Sequence, residues 1–464
     1  MSESPEQART LGALPAMALV AGSMLGIGIF IAPPVVAAQL DRPGAFLVLW
    51  MIGGVSALCG ALSVAELGSM MPTAGGDYPY LRRAYGPGWA YAAGWLQLLA
   101  IFPGSLAAMA VGTAQFQFPI VLGSAYDVAA WSGLPIDPAM FWAVVIVVGL
   151  TAINHVGVVI SGRFQVAITG IPIAILVLAT VAVLLTQGTE GGAWNGVESS
   201  SFELPGVTAI ALAFLPVYFA YSGWNAAIFV GGEIRNPARN LPRALVGGTL
   251  GVTVLYFMLC VGFLAVFSMD DLANTGEAGT AAARSLFGGL GVFVVTTLIL
   301  LAMLGSINGT VLTGSRIAYA MSRDGQCVPA AGKLGRFGTP AVALWMQAGW
   351  TICLMMSQRF EELVNYTSAA MLITGTMTVM AVFVLRRKLP DLARPYKTWG
   401  YPVTPLLYAG SSVFVLVMLA KDGDASVFLG LGWFVAALAF HKLFIAKRSG
   451  SDAQAGDDVV GSVG

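Results

Sequence analysis

The stretch Gly22-Ser23-Met24-Leu25-Gly26-Ile27-Gly28 interrupts the first long apolar run of this 464-residue chain with small residues. A second stretch, Ala220-Tyr221-Ser222-Gly223-Trp224-Asn225, interrupts a later apolar run in the same way. Paired interruptions expose backbone N–H and C=O groups inside a membrane, where these groups can replace the water around a polar solute. The pair therefore predicts a substrate site in a membrane transporter.

The composition places nearly all of the chain in a membrane. Hydrophobic residues make up 57% of it, mean hydropathy is +0.80, and charged residues are 10%, against roughly 25% in soluble domains. Apolar runs near or above the roughly 20 residues that cross a bilayer recur throughout. We count twelve and predict an all-α integral membrane protein with spans at about 14–40, 44–70, 86–118, 139–157, 160–186, 207–232, 243–269, 285–322, 340–357, 361–385, 403–420 and 425–446.

The flanking segments and the basic residues predict the orientation. A single domain covers 13–448, between a short tail 1–12 and a Gly/Ser/Asp-rich tail 449–464 that we expect to be disordered. With both termini in the cytoplasm, nineteen of the 23 Lys and Arg residues lie inside, as the positive-inside rule requires. The four outside are Arg42, Arg284, Arg359 and Lys421. We expect a multi-pass protein of the cell membrane.

The spacing of the interruptions predicts an internal repeat. They fall in spans 1 and 6, so spans 1–5 (about 14–186) and 6–10 (about 207–385) form two repeats. Because five is odd, the second repeat enters from the opposite side and has inverted topology. Spans 11 and 12, about 403–446, are appended to this pair.

The polarity of the half-helices predicts the ligand. The half after the first interruption presents free N–H groups, which stabilise a carboxylate, and the half before the second presents free carbonyls, which stabilise an ammonium. Neither interruption contains Asp, Glu, Lys or Arg. A zwitterion fits this arrangement, so we predict an amino acid. Gly26 and Gly28 leave room for it and Asn225 holds the other interruption open, although glycines also mark close helix packing.

Other chemistry is not indicated. The cysteines Cys59, Cys260, Cys327 and Cys353 lack C-x-x-C spacing, which argues against a zinc site or a disulfide framework. The spans carry no His/Asp/Glu cluster and no nucleophile motif. We expect no enzyme activity, no cofactor, no metal and no nucleic-acid partner.

Several motifs together resemble the amino acid–polyamine–organocation (APC) superfamily, and within it the L-amino acid transporter (LAT) group. They are Gly22 to Phe30 in span 1, Ala65-Glu66-Leu67-Gly68 and Met71-Pro72-Thr73-Ala74-Gly75-Gly76-Asp77-Tyr78 after span 2, Phe219 to Asn225 and Glu233 to Pro242 at span 6, and Gly305-Ser306-Ile307-Asn308-Gly309, Ser315-Arg316 and Ser322-Arg323-Asp324-Gly325 around span 8. The resemblance implies the LeuT-type fold and alternating access, with an α-amino acid held between spans 1 and 6.

This resemblance assigns roles at the two interruptions. Phe219 matches an aromatic residue that gates the pocket from outside, although a lipid-facing or core role is equally open to such a ring. Tyr221 and Trp224 are expected to shape the pocket. The predicted substrate-binding residues are Gly26, Ile27, Gly28, Phe219, Ala220, Ser222, Gly223 and Asn225.

Three departures from the family pattern bear on coupling and partners. Ile27 stands where a small or hydroxyl residue is usual, and Pro172 or an apolar neighbour falls where many relatives carry a lysine. The coupling ion is therefore open, and a coupling site is expected among Pro172, Ser306, Asn308 and Thr310, unless the span 8 residues serve interhelical hydrogen bonds. Residues 119–138 contain no cysteine, so no disulfide-linked heavy chain is expected.

The resulting prediction is exchange of neutral L-α-amino acids across the bilayer, with side-chain size read by an uncharged, apolar pocket. The alternatives are a proton- or sodium-coupled symporter, or a permease for cationic amino acids or polyamines, which needs an acidic residue in the site. Glu66 and Glu233 are interpreted as inner-gate or structural ion pairs with basic neighbours such as Arg82, Arg235 and Arg316.

Overall fold

The computed structural model describes residues 9, 11–133, 135–156, 159–187, 193, 206–357 and 360–445. The predicted tail 449–464, Arg359, and most of the predicted tail 1–12 and of the segment 187–206 lie outside the described residues.

The described residues are helical almost throughout. A π-helical turn, Gln97–Ile101, joins two of the helices, and another, His441–Ile445, follows the last one. The α-helices are α1 Ala13–Met24, α2 Gly28–Gln39, α3 Pro43–Met70, α4 Asp77–Tyr85, α5 Pro87–Leu96, α6 Phe102–Phe116, α7 Phe118–Leu122, α8 Val128–Ser132, α9 Pro138–Val156, α10 Val159–Gln187, α11 Val207–Ala220, α12 Ala226–Phe229, α13 Pro237–Val266, α14 Met269–Ala273, α15 Ala278–Arg323, α16 Ala341–Ser357, α17 Phe360–Lys388, α18 Val403–Lys421 and α19 Ala425–Phe440.

Within the described ranges, ten helical segments are long and apolar enough to cross a membrane. The two predicted spans outside this set correspond to shorter apolar helices, Ala209–Ala220 and Ala341–Met356. The all-α membrane architecture is confirmed, and the count of twelve stays a prediction. The ten segments are Ala13–Gln39, Pro43–Met70, Pro87–Phe116, Pro138–Val156, Ile168–Leu185, Pro237–Val266, Gly291–Arg323, Leu363–Lys388, Val403–Lys421 and Ala425–Ile445.

Both interrupted stretches are breaks in the helical backbone. In the first, α1 ends at Met24 and α2 begins at Gly28. In the second, α11 ends at Ala220 and the chain turns until α12 begins at Ala226. Gly223 lies in this turn with φ +93°, a conformation that a side chain disfavours.

Small residues let the helices around these breaks approach closely. A Cβ on Gly53 or Gly54 of α3 would lie 2.5 Å from Val217 Cγ1 of α11 or 2.3 Å from Thr253 Cγ2 of α13. Close approach through small residues is the usual means of helix association in membranes, where the hydrophobic effect between helices is weak. The second span, α3, is thereby held against α11 and α13, next to the second break.

The helix boundaries differ from the prediction in three places. The segment 71–85, expected to be a loop because of Pro72, Gly75 and Gly76, contains the helix α4, with Asp77 in its first turn where a carboxylate is favoured. Span 3 contains the π-helical turn Gln97–Ile101. Span 8 begins seven residues early at Ala278, and Gly288 (φ +65°) bends it.

Candidate functional site

The two breaks line one central cavity of about 90 Å³. The rest of its wall comes from α4, α6, α11, α12, α15, α17, α18 and the π-helical turn Gln97–Ile101. Eleven of the residues singled out in the sequence line it: Gly26, Ile27, Gly28, Phe219, Ala220, Ser222, Gly223, Trp224, Asn225, Ser306 and Thr310. Three do not: Pro172, Tyr221 and Asn308.

The first break offers hydrogen-bond donors to the cavity. Gly26 N–H is already used, since it donates to Met24 O at 2.8 Å. In the described part of the chain, the N–H groups of Ile27, Gly28 and Ile29 have no acceptor. They stand at the N-terminus of α2, where the helix dipole is positive, so this end can bind an anionic group.

The second break offers acceptors. Among the described residues, no backbone N–H donates to the carbonyls of Tyr221, Ser222 or Trp224. They follow the C-terminal end of α11, whose dipole is negative, so this end can bind a cationic group. The hydroxyl of Tyr256 on α13, which the sequence did not single out, lies within hydrogen-bonding distance of Met24 O and Ala220 O and so links both breaks.

The breaks touch each other through two glycines. A Cβ on Gly28 would lie 2.5 Å from Ala220 Cα, and one on Gly223 would lie 2.7 Å from Ser23 O. Both neighbours are backbone atoms that cannot rotate away. Glycine at these positions therefore allows the helix ends to pack closely. Close packing was one of the two roles that the sequence suggested for these glycines, the other being to leave room for the ligand.

Phe219 lies on the wall that the central cavity shares with a second one. This second cavity, of about 360 Å³, lies towards the C-terminal end of α2 and the turn before α19, and it shares Ile27, Gly28 and Phe219 with the first. The ring of Phe219 is itself buried. A side chain on this shared wall can influence passage between the two cavities.

The other two aromatic residues of the second break differ in position. Trp224 lines the cavity and packs edge-on against Tyr408 of α18, with ring centroids 5.4 Å apart. Tyr221 lies behind the wall, between Trp50 at 5.9 Å and Tyr256 at 5.1 Å. Tyr221 therefore supports the break from outside the cavity.

The predicted coupling residues do not form one cluster. Ser306 Oγ donates to Ser23 O at 3.1 Å, beside the first break, and Thr310 also lines the cavity. Asn308 accepts from Asn154 Nδ2 of α9 at 2.7 Å, which matches the interhelical alternative. No group of three or more His, Cys, Asp or Glu residues suited to a metal ion occurs in the described part of the chain.

One ion pair and two short backbone bridges join segments near the membrane face at which α1 begins, called here the N-terminal face. Arg316 Nη2 lies 3.4 Å from Glu233 Oε1, and both side chains are buried. Backbone bridges join Ala74 to Val230 and Leu11 to Ile234. Of the partners expected for the two glutamates, Arg316 pairs with Glu233.

Glu66 has different partners from those expected. Its carboxylate accepts from Arg386 at 2.9 and 2.6 Å and from Thr398 N–H at 2.7 Å, and Arg394 Nε lies 3.3 Å away. Arg82 instead pairs with Asp324 at 2.7 Å. Of the basic residues that the prediction named, Arg82 is the nearest to Glu66 in the sequence. The actual partners are distant in sequence because α17 and the segment after it fold back onto the end of α3.

One acidic residue of the cavity was missed. Asp77, at the start of α4, lines the cavity, and Asn225 Nδ2 donates to its Oδ2 at 3.4 Å. The expectation of an uncharged, apolar pocket is therefore wrong. The signal lay in Gly75 and Gly76, whose φ values of +109° and +60° turn the chain inward just before the carboxylate.

The comparisons with known proteins decide the family. The amino acid permease family matches residues 11–437, which include both breaks and every helix that lines the cavity. The chain belongs to the amino acid permease family. It is therefore a transporter and not an enzyme, and its many apolar helices make it a multi-pass membrane protein.

Individual relatives extend the likeness over nearly the whole chain. The serine/threonine exchanger SteT of Bacillus subtilis is 30% identical over 414 residues, 88% of this chain and 90% of the relative. The human b(0,+)-type amino acid transporter 1 is 29% identical over 450 residues, 95% and 89% of the two chains. The human cystine/glutamate transporter is 26% identical over 449 residues, 96% and 86%. These relatives support amino acid transport by this permease.

Proposed function

We propose that this permease exchanges neutral L-α-amino acids across the cell membrane by alternating access, with both termini in the cytoplasm. The observation that carries the proposal is the junction of the two breaks. Unpaired N–H groups at Gly28 and unpaired carbonyls at Ser222 meet where Gly28 contacts Ala220. An α-amino acid carries its carboxylate and ammonium on one carbon, so it needs a donor end and an acceptor end side by side.

The proposed binding residues are those of the breaks. Backbone groups of Gly26, Ile27 and Gly28 receive the carboxylate, and those of Ala220, Ser222 and Gly223 receive the ammonium. Asn225 holds the second break in place.

Phe219 is the proposed outer gate, because it lines both the central cavity and the second cavity, which lies towards the C-terminal end of α2. In the opposite phase of the cycle, the Glu233–Arg316 pair and the Ala74–Val230 bridge separate and open the N-terminal face. Two repeats of inverted topology, spans 1–5 and 6–10 of a twelve-span LeuT-type fold, supply the symmetry for this motion.

Exchange is preferred to ion-coupled symport because one of the similar relatives, SteT, is named a serine/threonine exchanger. We propose that the permease works without a disulfide-linked heavy chain, since residues 119–138 contain no cysteine.

Asp77 favours a second candidate. A buried carboxylate in the cavity wall is the feature that a proton-coupled symporter or a permease for cationic amino acids requires, and the breaks themselves lack it. The two candidates make different predictions. A cationic permease transports lysine in preference to neutral amino acids, and a proton-coupled symporter requires a proton gradient for uptake.

The test is uptake by purified protein in proteoliposomes. Radiolabelled alanine is supplied outside the vesicles. The vesicles contain either unlabelled alanine or no amino acid, and the vesicles without amino acid are also tested with an imposed sodium gradient or proton gradient. Internal alanine alone should accelerate uptake at least tenfold, because exchange allows the carrier to reorient only when loaded.

Empty liposomes and protein-containing vesicles without internal alanine are the controls. A strict requirement for a sodium or proton gradient would establish symport instead. Preferential inhibition by lysine over every neutral amino acid would establish the cationic alternative.

A further inference from the structure

The cavity wall holds buried polar atoms that have no hydrogen-bond partner among the described residues. Among the described residues these are Asp77 Oδ1, Gln97 Nε2, Gln97 Oε1 and Ser105 Oγ, together with Ser23 Oγ beside the first break. Buried polar atoms in folded proteins are nearly always hydrogen-bonded, because an unpaired one keeps the full cost of its desolvation. Several in one cavity indicate a ligand that supplies the missing partners.

Gln97 is the most exceptional of them. Its side chain is 1% exposed, yet neither its amide nitrogen nor its carbonyl oxygen has a partner in the described part of the chain. It begins the π-helical turn Gln97–Ile101 in the middle of span 3. Such turns insert one residue into a helix, rotate the residues around them, and occur often at functional sites.

Ser105 differs from two threonines of the cavity region in its hydrogen bonding. Thr113 and Thr310 donate to the carbonyl four residues earlier in their own helices, at 2.6 and 2.9 Å. A hydroxyl in a membrane helix commonly satisfies its hydrogen-bonding capacity in this local way. Ser105 lies two turns after Gln97, lines the same cavity and makes no such bond.

Asp77 has polar neighbours but no cation. Asn225 donates to one carboxylate oxygen, the Thr378 hydroxyl faces the group, and the phenols of Tyr80, Tyr218 and Tyr408 lie close enough to interact with its charge. Within the described residues, no Lys, Arg or His pairs with it. Its other oxygen remains free for a hydrogen-bond donor.

We propose that Gln97, Ser105 and Asp77 form a side-chain subsite of the central cavity that selects uncharged amino acids carrying a hydroxyl or a carboxamide over apolar isosteres. This inference rests on the proposed transport of neutral amino acids. The side chains of Gln97 and Ser105 can each donate and accept a hydrogen bond, as can the hydroxyl or carboxamide of such a substrate. An apolar side chain of equal size leaves these atoms unpaired.

Threonine and valine provide a matched pair of probes, because they have nearly the same shape and differ by one hydroxyl. An apolar pocket discriminates weakly between such isosteres, whereas a site built to bond a hydroxyl rejects the analogue that lacks it by large factors. We expect threonine to inhibit alanine exchange at a concentration at least tenfold lower than valine does.

Gln97→Met removes both polar atoms and keeps the length of the side chain. The threonine preference over valine should fall below threefold while alanine exchange persists. Gln347→Met is the matched control: Gln347 is a buried glutamine on α16 that lies outside the cavity and donates to Thr310 O at 3.3 Å. It should keep the wild-type preference.

Ser105→Ala repeats the test if Gln97→Met fails to insert. Equal inhibition by threonine and valine in the wild type, with alanine exchange intact, would overturn the subsite and leave the proposed function standing. Stronger inhibition by lysine than by threonine would overturn it too, since Asp77 would then bind a cation. Absence of any amino acid exchange would contradict the proposed function, and the subsite with it.

Discussion

Asp77 shows how much one residue can change the character of the cavity. Burial without a cationic partner raises the pKa of its carboxyl to about 7. The group therefore changes charge close to neutral pH, at the end of the cavity nearest the N-terminal face.

This shift predicts a pH dependence of stability. Between pH 4 and 7 the folded protein holds a proton that the unfolded chain has lost, so stability falls as pH rises through that window, by at most about 4 kcal/mol. We expect the wild-type melting temperature in detergent to decline from pH 5 to pH 8 more steeply than that of Asp77→Asn.

Comparison of the two melting curves at each pH isolates the contribution of Asp77 from that of other titrating groups. Parallel curves would mean that the carboxyl is not the buried, unpaired group that the structure shows.

At the scale of elements, the junction of α2 and α11 decides whether a binding site exists. Gly28→Ala would place a Cβ 2.5 Å from Ala220 Cα and 2.9 Å from Ala220 Cβ, so the two helix ends must separate. We expect a loss of alanine exchange of at least a hundredfold with insertion retained, because donors and acceptors no longer lie together.

Gly149→Ala on α9 is the control, since a Cβ there meets no atom within 4 Å. It should exchange alanine at the wild-type rate. Normal exchange by Gly28→Ala would show that the contact between the breaks is dispensable.

At the scale of the whole molecule, Glu66 joins the end of α3 to α17 and to the connection that leads to α18. Its carboxylate is 1% exposed and binds Arg386, Arg394 and Thr398. Removing one partner of a buried ion pair leaves uncompensated charge, so Glu66→Gln should destabilise the protein by about 3 kcal/mol.

Thermal unfolding in detergent measures this effect, and proteolysis within 389–402 should accelerate. Arg82→Gln, which breaks the more exposed Arg82–Asp324 pair, should cost less than about 1 kcal/mol. Equal effects of the two substitutions would contradict the anchoring role of Glu66.

The breaks at Gly26 and Gly223 were predictable from the sequence because their cause is local. Small and turn-forming residues within an apolar run disfavour a continuous helix whatever surrounds them. The helix α4 was not predictable in this way, since Pro72, Gly75 and Gly76 are loop signals and the helix begins directly after them.

The order of residues alone is enough to recognise a helical membrane protein, the two places where its helices break, and the permease family to which it belongs. Those properties depend on hydropathy, local backbone preference and motif order. The packed helices were needed to show that Asp77, Gln97 and Tyr408 meet at the cavity and that Glu66 binds Arg386. The reason is that helix packing brings together residues hundreds of positions apart, and no local pattern records which faces will touch.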